Sequence, residues 1–287
     1  MMNVENYDYL VDQLKFTGFG DGLIEELRKK MESGDKSFTL NFSKQYGNDV
    51  ADAKLNFRLS DQGYYFFNNY DMSVQQGHRD IPIQQRIFVF NDRLNKNPEG
   101  EQRTSPTITF KEAFNLLSGR SINKDWPELE KKSVMGEHKY VPTGETYNAW
   151  RVIDFSVTLP NGNYGHRDYG TAYGFNLGSE LEKYKIKEML QEDSSEKFLS
   201  KLKKGDHTPA TFILSDGSEK KGFVEAAPKY KSLNIYDAKH KRIMQLEPPS
   251  IKQSTEKGQG KEQKNKAGEE PGPKRQRKPR NGVGKGV

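Results

Sequence analysis

Apolar positions recur with helical spacing twice at the start of the chain. In YDYLVDQL, Tyr7, Leu10, Val11 and Leu14 fall at i, i+3, i+4 and i+7, with Asn6 before them as an N-cap. After KFTGFG, Asp21 is placed to cap a second helix running to Ser33, with Leu23, Ile24, Leu27 and Met31 on one face and Gly34 as its stop. Its acids, Glu25 and Glu26, precede its cations, Arg28, Lys29 and Lys30, the order that suits the helix dipole. The period then changes to two. Phe38, Leu40 and Phe42, and then Leu55, Phe57 and Leu59, alternate with polar residues around the turn-rich QYGNDVAD, which predicts a hairpin. A ring-rich strand over 64–74 and another over 86–90 complete a sheet whose aromatic residues are read mainly as core.

Residues 91–106 lose this patterning in NKNPEGEQRTSP and read as a linker. Thr109 and Glu112 then form a T-x-x-E capping box ahead of a helix buried through Phe110, Ala113, Phe114 and Leu117 and ended by Gly119. The segment DWPELEKKSVMGEHKYVPTGET has no period and predicts no regular element. YNAWRVIDFSVTL reads as a long strand with Ile153, Phe155, Val157 and Leu159 on one face, turning at PNGN into NYGHRDY. Helices over 178–190 and 194–203 follow, then strands in TPATFILS, KKGFVEAA and KSLNIYD, with Pro228 at an edge or turn.

The pattern predicts an α+β protein of two small modules, each with helices on a mainly antiparallel sheet: 1–90 and 107–246, joined by the linker 91–106. Composition supports two small cores, since only 32% of the 287 residues are hydrophobic and 11% are aromatic. From 247 to 287 there is no ring and hardly an aliphatic residue, so this tail is expected to be disordered. There is no Cys, which removes thiol chemistry and Cys-based zinc sites. With no basic leader and no apolar run long enough to span a bilayer, the expectation is a cytoplasmic protein without a membrane partner.

Charge is unevenly distributed. Residues 1–196 carry 24 Lys and Arg against 30 Asp and Glu, net −6; residues 197–242 carry 11 against 5, net +6; residues 250–287 carry 11 against 4, net +7. The basic end is therefore the candidate contact for an acidic partner, above all nucleic acid. In the tail the candidates are Lys274, Arg275, Arg277, Lys278 and Arg280 of KRQRKPR; in the folded part they are Lys229, Lys231, Lys239, Lys241 and Arg242, interleaved with Tyr230 and Tyr236. No RRM, KH or helix-turn-helix signature accompanies them, so the binding implied is non-specific.

Four stretches, TFKEAFNLLSGRSINK, YNAWRVIDF, NGNYGHRDYG and FVEAAPKYKSLNIYDAKHKR, resemble a domain of unknown function found in proteins of conjugative transposons from anaerobic gut bacteria, often encoded near topoisomerase and excision genes. FTGFGDGL, FTLNFS and YYFFNNYD resemble the segment that commonly precedes that domain. The resemblance spans about 7–246 and implies a mobile-element accessory protein with a topoisomerase or excision factor as partner; it carries no site residues.

Enzyme chemistry has little support. GHRD occurs at 77–80 and 165–168, but neither copy has the rest of a kinase catalytic loop, and no Gly-rich loop or D-F-G accompanies them. None of His78, His138, His166, His207 and His240 stands in a metal-binding motif, and Walker and G-x-S-x-G motifs are absent, so no metal or cofactor is expected. Asp154, His166 and Asp168 are the one set that a hairpin could gather for acid-base or hydrolytic work. The leading expectation is a non-enzymatic, DNA-associated accessory protein. The alternatives are a protein-protein adaptor with a solubilising tail, and a small hydrolase or nuclease using Asp154 and His166.

Overall fold

The computed structural model describes residues 2–90, 106–134 and 137–243, so the expected tail and all but the end of the expected linker lie outside the described residues. Among the described residues the fold is α+β, with five helices and eleven antiparallel strands in three sheets.

Helix α1 (Val4–Phe16) starts one turn earlier than its apolar spacing suggests, because the Asn3 side chain accepts from the Asn6 amide at 3.0 Å. Asn6 is thus inside the helix, not its cap. Its buried side chain accepts from Tyr65 N at 2.8 Å and donates to Tyr65 O at 2.9 Å, imitating a strand neighbour and fastening α1 to the sheet. Helix α2 (Ile24–Ser33) ends on Gly34 in the left-handed region, as expected. Asp21 supplies only its carbonyl to the first turn; its carboxylate pairs with Lys15 at 3.2 Å.

Strands β1 (Ser37–Tyr46), β2 (Asp49–Leu59), β3 (Tyr65–Gln75) and β4 (Ile83–Phe88) form one sheet in that order. The first turn is tighter than QYGNDVAD implies, since Ala51 and Ala53 keep the inward alternation and the chain reverses at Gly47 and Asn48. The rings do serve as core. Phe19 meets Phe42, Phe67 and Tyr70 edge-on at 5.2 to 6.0 Å, and Phe57 is stacked between Phe38 and Phe67 at 4.8 and 5.0 Å.

Helix α3 (Phe110–Leu117) has its capping box: Thr109 N donates to Glu112 Oε2 at 2.8 Å and Glu112 N to Thr109 Oγ1 at 3.4 Å. Phe110, Ala113, Phe114 and Leu117 join the core of the β1–β4 sheet, while Leu116 turns to Ile122, Trp126 and Ala149. Glu112 is itself buried and receives Lys124 Nζ at 2.9 Å, with side-chain exposures of 5% and 15%.

The segment expected to lack regular structure is a long hairpin, made of β5 (Ile122–Val134) and the first part of β6 (Glu137–Thr158). Its outer part has no apolar period because it has little buried face: Leu129 is 50% and Tyr140 69% exposed. Pro127 sits at the register shift, where a missing N–H is tolerated. The PNGN turn leads to β7 (Tyr164–Gly170) and does more than reverse the chain. Asn163 accepts from Arg86 N at 2.9 Å and donates to Arg86 O at 3.1 Å, and Gln85 makes the same pair with Tyr164 at 2.8 and 3.3 Å.

Helices α4 (Leu177–Glu182) and α5 (Glu192–Lys203) cover one face of the last sheet, in the order β11 (Arg242–Ile243), β10 (Ser232–Asp237), β9 (Glu219–Ala227), β8 (Thr208–Ile213). The helix expected over 178–190 is shorter: after Glu182 the chain makes only a single 3-10 turn, Lys187–Met189. Phe198, Leu202, Leu177 and Leu181 pack on Ala210, Phe212, Val224, Ala226 and Ile235. At Gly222 a Cβ would lie 2.3 Å from Tyr236 O, so this strand crossing requires glycine. Among the described residues no helix is long and apolar enough to cross a membrane.

Removing one member of a buried ion pair strands the other. Glu112→Ala is therefore expected to lower stability by about 3–5 kcal/mol in urea unfolding, and Glu112→Gln, which keeps an acceptor for the cap, by less. An unchanged midpoint for Glu112→Ala would show that the Lys124 pair contributes nothing.

Candidate nucleic-acid interface

Strand alternation decides the fate of the Asp154, His166 and Asp168 set. In the β6–β7 register, Ile153 opposes His166 and Arg151 opposes Asp168, whereas Val152 opposes Arg167 and Asp154 opposes Gly165. His166 and Asp168 therefore share one face with Arg151, and Asp154 points to the other. The expected gathering of all three does not occur. Asp168 is bound in a fork by Arg151 at 2.8 and 2.7 Å and accepts from Tyr147 Oη at 2.8 Å. Burial acts to raise its pKa, but the Arg151 hydrogen bonds and charge bring it below the usual carboxylate range. Asp154 accepts from Ser156 and from Arg167 Nε at 2.6 Å, which lowers its pKa to about 2. Both carboxylates are held as anions by cations, so neither is free to act as an acid. Burial, and then Arg151, lower the pKa of His166 against the opposing pull of Asp168. Among the described residues no three His, Asp or Glu side chains converge as metal ligands. Of the two GHRD copies, the first lies in the turn between β3 and β4, where Gly77 N donates to Asp49 at 3.0 Å, and the second is β7 itself.

The basic candidates of the folded part lie at both ends of β10. Lys229 and Lys231 belong to the 3-10 turn before it, and Lys239, Lys241 and Arg242 to the turn and short strand after it. At about 3.3 Å per residue the six residues of β10 separate the two groups by roughly 20 Å. In the first group, Lys229 Nζ stands 5.3 Å from the Tyr230 ring centroid and Lys231 Nζ 4.7 Å from that of Tyr173, whose hydroxyl donates to Lys229 O at 2.8 Å. Lys231 takes a left-handed φ of 49° to close this turn. In the second, the Asp237 carboxylate accepts from the backbone N–H of Lys239 and Lys241, which leaves both ammonium groups free. These five cations, together with Lys201, Lys203, Lys204, Lys220 and Lys221, are all exposed, and none is held in an ion pair. Lys274, Arg275, Arg277, Lys278 and Arg280 lie outside the described residues.

A polar centre that the sequence reading passed over lies on the open face of the same sheet. Glu225 accepts from Tyr236 Oη at 2.7 Å and is bonded to His207 Nδ1 at 2.8 Å, and His207 Nε2 meets His240 Nδ1 at 3.0 Å. Phe223 stacks on both imidazoles at 4.5 and 4.3 Å. Burial acts to raise the Glu225 pKa, yet the bonds from His207 and Tyr236, with Arg120 nearby, bring it below the usual range. The signal was present: FVEAA sets one acid in an apolar run, and a buried acid demands partners.

Glu225 also lines a cleft of about 530 Å³ between the outer face of β6–β7 and this sheet. Arg120, Asp154, Arg167, Tyr169 and Asn234 form its walls, and Lys229 and Tyr230 its exposed rim. Two buried wall atoms, Arg120 Nε and Asn234 Oδ1, have no hydrogen-bond partner. Such atoms cost about 1–3 kcal/mol each when left unmatched. Burial lowers the Arg120 pKa, opposed by Glu225 and Asp206.

No protein-family model, curated protein or solved structure matches the chain.

The His166 shift has a definite sign. Between its lowered folded pKa and the ordinary histidine value, the unfolded chain binds a proton that the folded chain refuses, so stability falls as pH drops through that window. Urea midpoints from about pH 7.5 down to about pH 5 should fall less steeply for His166→Gln than for the parent chain. Parallel profiles would show that His166 plays no part in acid sensitivity.

Proposed function

We propose that the protein is a non-enzymatic accessory protein of a mobile genetic element that associates with DNA through its basic carboxy-terminal part and recruits a DNA-processing protein. One observation carries the DNA reading: the cations of residues 197–242, net +6 against the acids of the same stretch, are all exposed and none is held in an ion pair. Unpaired cations keep their field for a polyanion, and residues 250–287 add a net +7 to the basic part of the sequence. The mobile-element context rests on the family resemblance alone.

A protein-protein adaptor is the second reading, and one feature favours it. A groove of about 690 Å³ is lined by Phe88, Ile108, Trp126, Leu129, Leu159 and Tyr164. Leu159 of this groove is more than a third exposed, as are Phe155 and Val157 of the same expected strand face. An apolar surface of this kind suits a protein partner better than a phosphate backbone.

Salt dependence separates the two. In a DNA titration of the full chain against a full-length variant with Lys274, Arg275, Arg277, Lys278 and Arg280 replaced by Ala, the slope of log affinity on log salt should be shallower in the variant by about 4 to 5, one phosphate per cation. A full chain that fails to bind DNA at low salt would end the DNA reading and leave the adaptor.

A further inference from the structure

We infer that the cleft between β6–β7 and β9–β10 receives an unpaired base of a single-stranded nucleic acid, which makes the folded part a single-strand reader beside a less selective tail. The inference rests on the DNA reading above and adds a substrate class and a site to it.

Three observations point the same way. First, charge is zoned by depth. Glu225 and the Asp154 carboxylate lie in the walls, with Arg167 tied to Asp154 and Arg120 beside Glu225, whereas Lys229 on the rim and Lys231 next to it have free ammonium groups. With two acids and two arginines the walls carry no net charge, whereas Lys229 and Lys231 are in no ion pair, so a phosphate is favoured at the rim and a nucleotide enters base first. Second, the rim carries a ring for the base to meet. Tyr230 is 66% exposed and stands on the rim next to Lys229, so its ring is open to a stacking partner. Stacking on a ring needs the face of a base, which a duplex hides inside its own stack and a single strand offers. Third, two wall residues hold a buried donor, Arg120 Nε, and a buried acceptor, Asn234 Oδ1, that lack partners and are closed to the cleft as the side chains stand. A base edge supplies an acceptor and a donor together, so small adjustments of these side chains would complete both. The volume, about 530 Å³, lies within the range of small-molecule sites and suits one nucleoside unit.

The test uses full-length protein carrying the five Ala substitutions in the tail, so that the cleft is read without the tail, and follows fluorescence anisotropy of labelled oligothymidylate and of a duplex of equal length. Single strand is expected to bind more tightly than duplex. Adding Tyr230→Ala should weaken single-strand binding about tenfold, while Tyr230→Phe, which keeps the ring, should hold it near the parent value. Tyr230 is exposed, so neither change threatens the fold. Equal binding of the two DNA forms, or indifference to Tyr230→Ala, overturns the cleft assignment and leaves tail-mediated association standing. Loss of all DNA binding by the unsubstituted full chain overturns both.

Discussion

The fold depends on a helix with almost no solvent face, since of its residues only Lys111 reaches the surface. Phe110, Glu112, Ala113, Phe114, Asn115, Leu116 and Leu117 of α3 are all buried, so this short helix is the shared interior of elements that would otherwise each lack a second layer. An eight-residue helix is marginal by itself. Its start is stabilised by the Thr109–Glu112 box, and the charge this places in the interior is matched by Lys124. Lys124 also donates to Thr107 O at 2.8 Å, and Tyr70 to Ile108 O at 2.8 Å, so the helix entry is gripped from β5 and from β3 together. At the other end, Asn115 donates to Lys204 O at 2.7 Å and Ser121 to Ala226 O at 2.8 Å, which ties the helix to α5 and β9. One capped turn therefore sets the position of Arg120 and of the wall it contributes to the cleft.

The second means of assembly is the side-chain amide used as a substitute strand. Asn6 on Tyr65, Asn163 on Arg86 and Gln85 on Tyr164 each offer a donor and an acceptor to one residue's backbone. Asn163 thus takes up the N–H and C=O of Arg86 on the edge strand β4, and Gln85 of that strand returns the contact to the backbone of Tyr164. Such bonds have little dependence on hydrophobic area, which suits a chain with a mean hydropathy of −0.97. They also explain why a hairpin turn carries two asparagines: Asn161 accepts from Asn163 N at 3.1 Å within the turn, and Asn163 reaches out of it.

What was legible in the chain follows the same physics. The box at Thr109, the Gly34 stop, the aromatic sheet and the closing strands are local chemistry or strong periodicity, and all were readable. The outer part of the β5–β6 hairpin was not, because a strand pair with little buried face writes no alternation. Asn6 was misread as a cap since a short amide before an apolar helix has that meaning by default; only its distant partner, Tyr65, gives it another. Asp154 and His166 were weighed together because they are close along a hairpin, and the register sets them on opposite faces. The Glu225 centre draws on His207, Glu225, Tyr236 and His240, and pairing of that kind is fixed by sheet order, not by sequence distance.

The distribution of acids in residues 197–242 bears on the proposed use of the basic end. Net charge in residues 197–242 is +6, yet Glu225 is enclosed by His207, Tyr236 and Arg120, and Asp237 is spent on the backbone of its own turn. Each of these two acids is committed to stabilising the fold, while the lysines around them are in no ion pair, Lys229 and Lys231 meeting only tyrosine rings. A protein under pressure only for solubility has no need of that separation, since mixed charges on its surface serve equally well. A protein that holds a polyanion gains from it, because a carboxylate already matched by His207 and Tyr236 or by backbone N–H groups has less need to draw a neighbouring lysine into an ion pair. The buried acid and the free lysine are in this sense one arrangement: Glu225 orders the sheet face, and the rim at Lys229 to Lys231 keeps its full positive field.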